Sequence, residues 1–171
     1  MKELVLFRHA KSSWKGPSTG DIARPLSRRG RRTAARMAGW LAATGFRPDI
    51  VLCSTSARTR ETYSFVRESL GNPEVLYERA LYLASATGLL QRLRELSAKT
   101  RSVMLIGHNP GLQNLALLLL GNRSAATRAR IKTKFPTAAL AYFKIPAANW
   151  NDIGRGTARL RDCVYPKDLD S

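Results

Sequence analysis

Leu4-Val5-Leu6-Phe7-Arg8-His9 is the stretch whose reading decides the fold. Its continuous apolar run stops abruptly at a charged residue and leaves no polar side for solvent, the pattern of a strand buried on both faces. Ile50-Val51-Leu52-Cys53 and Val103-Met104-Leu105-Ile106 repeat it. Between these runs the period changes to that of helices. Ser27 is placed to cap a helix over roughly Arg28 to Ala43, with Ala34, Met37, Ala38 and Leu41 on its apolar face and Gly45 as its stop. Ser54 to Ser56 open a second helix that ends near Gly71, and a short strand follows around Val75 to Tyr77. Further helices are expected over about Ala86 to Leu96 and Leu112 to Leu120. After an Arg- and Lys-rich stretch, Ala138 to Ile145 and Ala158 to Val164 read as two strands of an edge hairpin. Alternating strands and helices with unbroken apolar strands imply an α/β fold: a three-layer sandwich with a mostly parallel central sheet flanked by helices on both faces. A chain of 171 residues fills one such core, so residues 1–171 are expected to form a single domain.

The formal charge is +17 and the pI about 11.0, with arginines scattered through helices and loops. That describes a basic surface and not a basic arm. Such a field favours phosphorylated small molecules, acidic proteins or nucleic acid without choosing among them, and solvated helix faces account for it equally well. Cys53 and Cys163 lack metal-like or CxxC spacing and are expected as buried thiols in a reducing compartment. The apolar runs Leu4 to Phe7 and Leu115 to Leu120 are too short for a signal segment or a membrane span. A cytoplasmic protein without a membrane partner is the expectation.

In parallel sheets, functional groups gather beyond the carboxyl ends of the strands. Arg8-His9, Ser54 to Arg58 and Gly107-His108 all stand at such ends, so they are expected to converge on one crevice. Each segment by itself also reads as ordinary structure: a strand cap, a solvated helix start, a strand-to-helix turn at His108-Asn109-Pro110-Gly111. Yet these are the chain's 2 histidines, and both lie just past buried strands. Phosphoryl transfer needs a nucleophile in line with phosphorus and fixed cations around its oxygens, because positioning and charge stabilisation supply most of the catalysis. A neutral imidazole serves as the nucleophile, and arginine forks match phosphate oxygens.

Leu6-Phe7-Arg8-His9-Ala10-Lys11-Ser12-Ser13-Trp14, Ser54-Thr55-Ser56-Ala57-Arg58-Thr59-Arg60-Glu61-Thr62 and Gly107-His108-Asn109-Pro110-Gly111 occur in that order. In this the sequence resembles the histidine phosphatase superfamily, with its phosphoglycerate-mutase-like fold. Asp21, Arg24-Pro25-Leu26, Gly30 and the Ala10 that replaces a common glycine resemble its SixA-type phosphohistidine phosphatase branch. The resemblance implies that His9 becomes phosphorylated, that Arg8 and Arg58 hold the phosphoryl oxygens, and that His108 completes the phosphate pocket. It implies no metal and no cofactor.

Much of the superfamily supplies a glutamate after the third strand to protonate the leaving group, and here Leu83 falls at that place. Glu78 and Asp21 are the candidate proton donors, each also readable as a plain surface or loop-capping carboxylate. Lacking an obvious acid, the site is expected to favour phosphohistidine in proteins, whose imidazole leaves readily once protonated by solvent. An open crevice, with Trp14 in the loop from Lys11 to Arg24 as part of its rim, suits a phosphate displayed on a protein. A phosphatase of small phosphomonoesters on the same machinery is the alternative. A non-catalytic basic module for nucleic acid or protein is the remote one; no nucleic-acid partner is expected.

Overall fold

The computed structural model describes residues 1–15 and 20–170, so residues 16–19 of the expected rim loop lie outside the described residues. β1 (Lys2–Arg8), β2 (Ile50–Ser54), β3 (Glu74–Glu78), β4 (Ser102–Gly107), β5 (Leu140–Ile145) and β6 (Arg159–Val164) form one sheet in the order β3-β2-β4-β1-β5-β6. β1, β2, β3 and β4 pair in parallel, whereas β5 runs antiparallel to both β1 and β6. The α/β class and the mostly parallel sheet stand as expected. The last two strands do pair with each other, but β5 is interior and only β6 is an edge; the apolar run of β5 is buried because it is paired on both sides.

The period-2 alternation of the strands sorts their side chains into two cores. Leu4, Leu6, Leu52 and Leu105 pack beneath α3 (Ala86–Arg94) and α4 (Gly111–Leu120). Val5, Phe7, Val51 and Ile106 pack beneath α1 (Arg28–Thr44) and α2 (Ala57–Val66). Each central strand thus spends its whole apolar run on burial. At about 25 cal/mol per Å² of apolar surface this layering is the main drive to fold.

Local chemistry sets the helix ends. The Ser27 hydroxyl accepts from Gly30 N–H at 3.0 Å, and Gly45 closes α1 at φ 73°. α2 ends its regular turns at Val66, yet Gly71, at φ 82°, still provides the stop: Asn72 N–H reaches Arg67 O at 2.9 Å and Gly71 N–H reaches Glu68 O at 3.0 Å. A fifth helix, α5 (Ala125–Thr133), occupies the Arg- and Lys-rich stretch where none was expected. Cys53 is buried as expected, but Cys163 is only partly so, because it lies on the edge strand.

Gly30 brings α1 against the loop that follows β1: a Cβ there would stand 2.0 Å from the Lys11 carbonyl oxygen. Gly39, in the same helix, has nothing within 4 Å of its would-be Cβ. Urea melts should therefore separate two chemically identical changes. Gly30→Ala should lose about 1–3 kcal/mol as backbone is forced apart, while Gly39→Ala should gain up to about 1 kcal/mol from helix propensity. Equal effects would contradict the close approach.

Candidate active site

β2, β4 and β1 are neighbours, so their carboxyl ends bring Ser54, Gly107-His108 and Arg8-His9 to one edge of the sheet. After β1 the chain crosses to one face, and after β4 to the other, which parts the connections and leaves a crevice between these strands. It encloses about 430 Å³, and His9, His108, Arg8, Arg58 and Asp21 all line it. The predicted convergence of three distant segments is what the structure shows.

His9 is 6% exposed, and its ring centroid lies 5.3 Å from that of His108. Its Nδ1 is 2.7 Å from the Ala10 carbonyl oxygen. A carbonyl only accepts, so Nδ1 carries the proton and Nε2 keeps its lone pair. Burial, reinforced by the nearby charges of Arg8 and Arg58, pulls the His9 pKa down to about 3. His108 is fixed in the opposite sense: Arg58 Nη2, which only donates, sits 3.4 Å from its Nδ1, and its Nε2–H donates to Ser54 Oγ at 2.8 Å. Burial and the Arg58 charge bring His108 down to about 4. Both rings are neutral at pH 7.

Arg58, in the first turn of α2, is only 3% exposed. Its Nη1 donates to the Asp21 carbonyl at 2.8 Å and its Nη2 to Asp21 Oδ2 at 3.0 Å. Arg8 Nη1 donates to Phe135 O at 3.0 Å. The Nε–H groups of both arginines are buried without a hydrogen-bond partner. An unsatisfied buried donor costs about 1–3 kcal/mol, and two of them lie here beside two positive charges. Thr62 Oγ1 accepts from Ala10 N–H at 3.0 Å and donates to Arg58 O at 2.7 Å, tying the His9 loop to α2.

The two carboxylates named as proton donors part company here. Asp21 lines the crevice and accepts from Tyr82 Oη, Arg58 and Arg24. The Tyr82 hydrogen bond, followed by Arg58 and Arg24, holds its pKa down near 2, so at neutral pH it has no proton to give. Glu78 does not line the crevice; at the end of β3 it makes a bidentate pair with Arg92 of α3 at 2.7 and 2.9 Å. Leu83 is at the lip, 55% exposed, and Trp14, 81% exposed, has the Arg24 guanidinium carbon over its ring, 3.5 Å from the centroid. Tyr82 and Thr62 escaped sequence reasoning. Tyr82 stands edge-on to His108 with centroids 5.3 Å apart, but nothing in its local sequence marks a contact to Asp21 that spans 61 residues. Among the described residues, no cluster of three or more His, Cys, Asp or Glu could hold a metal ion, and no helix is long and apolar enough to cross a membrane.

A sequence model of the histidine phosphatase superfamily (branch 1) matches residues 4–82. An uncharacterized protein of Mycobacterium tuberculosis (strain CDC 1551 / Oshkosh) is 34% identical over 163 residues, spanning 94% of this chain and 100% of that one. The chain belongs to the histidine phosphatase superfamily. Two solved structures provisionally named phosphohistidine phosphatase SixA, from Agrobacterium tumefaciens and Nakamurella multipartitia, are similar at 28% and 26% identity with TM-scores of 0.82 and 0.83. Each likeness covers 96% of this chain, and 98% and 96% of the respective structure. This superfamily member is therefore of the SixA type.

The depressed histidines make a direct prediction. In an NMR titration of the ring Hε1 signals, neither His9 nor His108 should show a midpoint near 6.5; both should stay neutral down to about pH 4. The unfolded chain, with histidines near 6.5, binds protons first as pH falls. Stability should therefore be full above about 6.5 and decline toward pH 4 and below. A normal midpoint for either ring would contradict the buried geometry.

Proposed function

We propose that this superfamily member is a phosphohistidine phosphatase in which His9 takes the phosphoryl group and water releases it as inorganic phosphate. One observation carries the choice of substrate: among the described residues the only carboxylate lining the crevice, Asp21, is locked as an anion. A positioned acid is worth roughly 10²–10⁴-fold when an alkoxide must leave. Without one, alkyl phosphates are poor substrates, while a phosphoramidate whose imidazole is protonated by solvent departs unaided.

In the first step the Nε2 lone pair of His9 attacks phosphorus, and the phosphorus–nitrogen bond of the substrate breaks with its electron pair passing to the leaving imidazole. The Nδ1–H bond to Ala10 disperses the positive charge that develops on the His9 ring. The guanidinium groups of Arg8 and Arg58, which line the crevice, face the phosphoryl oxygens, and their fixed charges neutralise the transferring group. His108, held by Ser54 and Arg58, closes the pocket. In the second step water attacks phosphorus, the bond from phosphorus to His9 Nε2 breaks with its electron pair returning to the ring, and the proton shed by the water passes to solvent. Two permanent cations supply the charge stabilisation, so the reaction as written calls for no metal or cofactor.

Purified protein should turn over a phosphohistidine peptide at least about 100-fold better than an alkyl phosphate monoester. His9→Ala should lose turnover while keeping its circular dichroism spectrum and melting temperature. Glu78→Gln should leave kcat unchanged, because Glu78 serves Arg92. Asp21→Asn, which weakens the hold on Arg58, should reduce kcat/KM by about tenfold, the scale of one charged hydrogen bond. Turnover surviving in His9→Ala, or alkyl esters cleaved as fast as phosphohistidine, would overturn the assignment.

A further inference from the structure

A second cleft, larger than the first at about 770 Å³, opens beside the crevice, and Lys11 and Thr137 line both. Its walls come from α1, from α5, from the segment between α5 and β5, and from the turn after β6. Lys11 follows His9 by two residues, and the Ala138 N–H next to Thr137 bonds the His9 carbonyl at 2.9 Å. The cleft is thus a continuation of the ground on which His9 stands.

Its chemistry is one-sided. Lys11, Arg29, Arg130, Lys134 and Lys167 line it, and no carboxylate does. Arg130 is committed to Asp168, donating to both oxygens at 2.8 Å. Lys11, Arg29, Lys134 and Lys167 are exposed, and none forms a salt bridge with a carboxylate among the described residues. The rest of the lining includes Ala126 and Ala129 on α5, Pro136, Pro166, three threonines and, buried at the base, Tyr165. Alanines let a backbone come close, and the proline faces offer apolar contact between the cations. Such a trough fits an extended or helical polypeptide bearing Asp and Glu better than it fits a lone phosphate, which needs donors converging at one point.

We infer that this cleft docks an acidic segment of the phosphoprotein substrate, next to the side chain whose phosphoryl group enters the crevice; this docking role rests on the phosphohistidine assignment above. Cations gathered along one cleft repel one another, and an acidic segment relieves that repulsion on binding. The polypeptide's charge thereby selects substrates by KM, while the crevice sets kcat.

Two synthetic peptides with one phosphohistidine each, flanked in one case by Glu and Asp and in the other by Gln and Asn, test this. The expected result is a kcat/KM about tenfold higher for the acidic peptide, carried by KM and fading as salt rises from about 50 to about 500 mM. In an Arg29→Glu, Lys134→Glu, Lys167→Glu triple variant the preference should vanish or invert, while the neutral peptide is hydrolysed at the wild-type rate. No preference in the wild type, or a preference unchanged in the variant, would overturn the docking role. If neither peptide is hydrolysed, the phosphatase assignment fails instead. The cleft is then read alone, by fluorescence anisotropy of the unphosphorylated acidic peptide on His9→Ala protein, where binding lost in the triple variant upholds docking and absent binding overturns it. Tighter binding of a short duplex DNA than of the acidic peptide, lost in the same variant, would likewise overturn it in favour of nucleic acid.

Discussion

Arg58 is buried at 3% exposure, beside Arg8, and Asp21 gives it two acceptors, its backbone carbonyl and its carboxylate. Removing a guanidinium from water costs several kcal/mol unless it is paired and hydrogen-bonded. Much else hangs on that pairing. The same carboxylate holds Arg24, which carries Trp14 on its outer face, and Tyr82, which stands against His108. One anion thereby joins the loop after β1, the start of α2 and the turn after β3. The hydrogen bonds that make it a good anchor also fix it as an anion, so the crevice keeps its cations in place at the cost of its one nearby acid.

Backbone geometry does the other half of the positioning. Gly30 lets α1 touch the Lys11 carbonyl, and Gly111 lets α4 touch the Ala84 carbonyl, each with a would-be Cβ 2.0 Å from oxygen. The two approaches fall on opposite faces of the sheet. They draw in the loop behind His9 on one side and the loop carrying Leu83 on the other. Backbone packing thus sets the position of the loops on both sides of the crevice.

Much of this was legible in the sequence, for identifiable reasons. Strands buried on both faces must be continuously apolar, and polar residues at or just past their carboxyl ends must lie along one edge of the sheet; this is why Arg8, His9, Arg58 and His108 could be brought together from sequence alone. Ser27 and Gly45 act at short range and were equally readable. α5 was not: Ser124 sits at φ 50° with no side-chain cap, and Ile131 is the helix's one buried residue, so neither a cap nor an apolar stripe announced it. It is held from outside, by Arg128 donating to Gly121 O at 2.6 Å and Gln113 donating to Ile131 O at 2.7 Å. The partition of the acids was also hidden. Glu78 and Asp21 look alike in the chain, and only long-range partners, Arg92 for one and Tyr82 with Arg58 for the other, tell them apart.

The depression of His9 bears on both halves of the proposed cycle. A histidine with an ordinary pKa would be partly protonated in the cell, whereas one near 3 presents its lone pair at all times. Low basicity makes that lone pair a weaker nucleophile, so attack relies on the alignment and charge that Arg8 and Arg58 provide. In the second half the balance reverses. An imidazole of low basicity is a better leaving group, and phospho-His9 then yields to water without a protein acid. A site lacking that acid needs such a leaving group twice, once on the substrate and once on itself, and burial of His9 meets the second need as phosphohistidine meets the first.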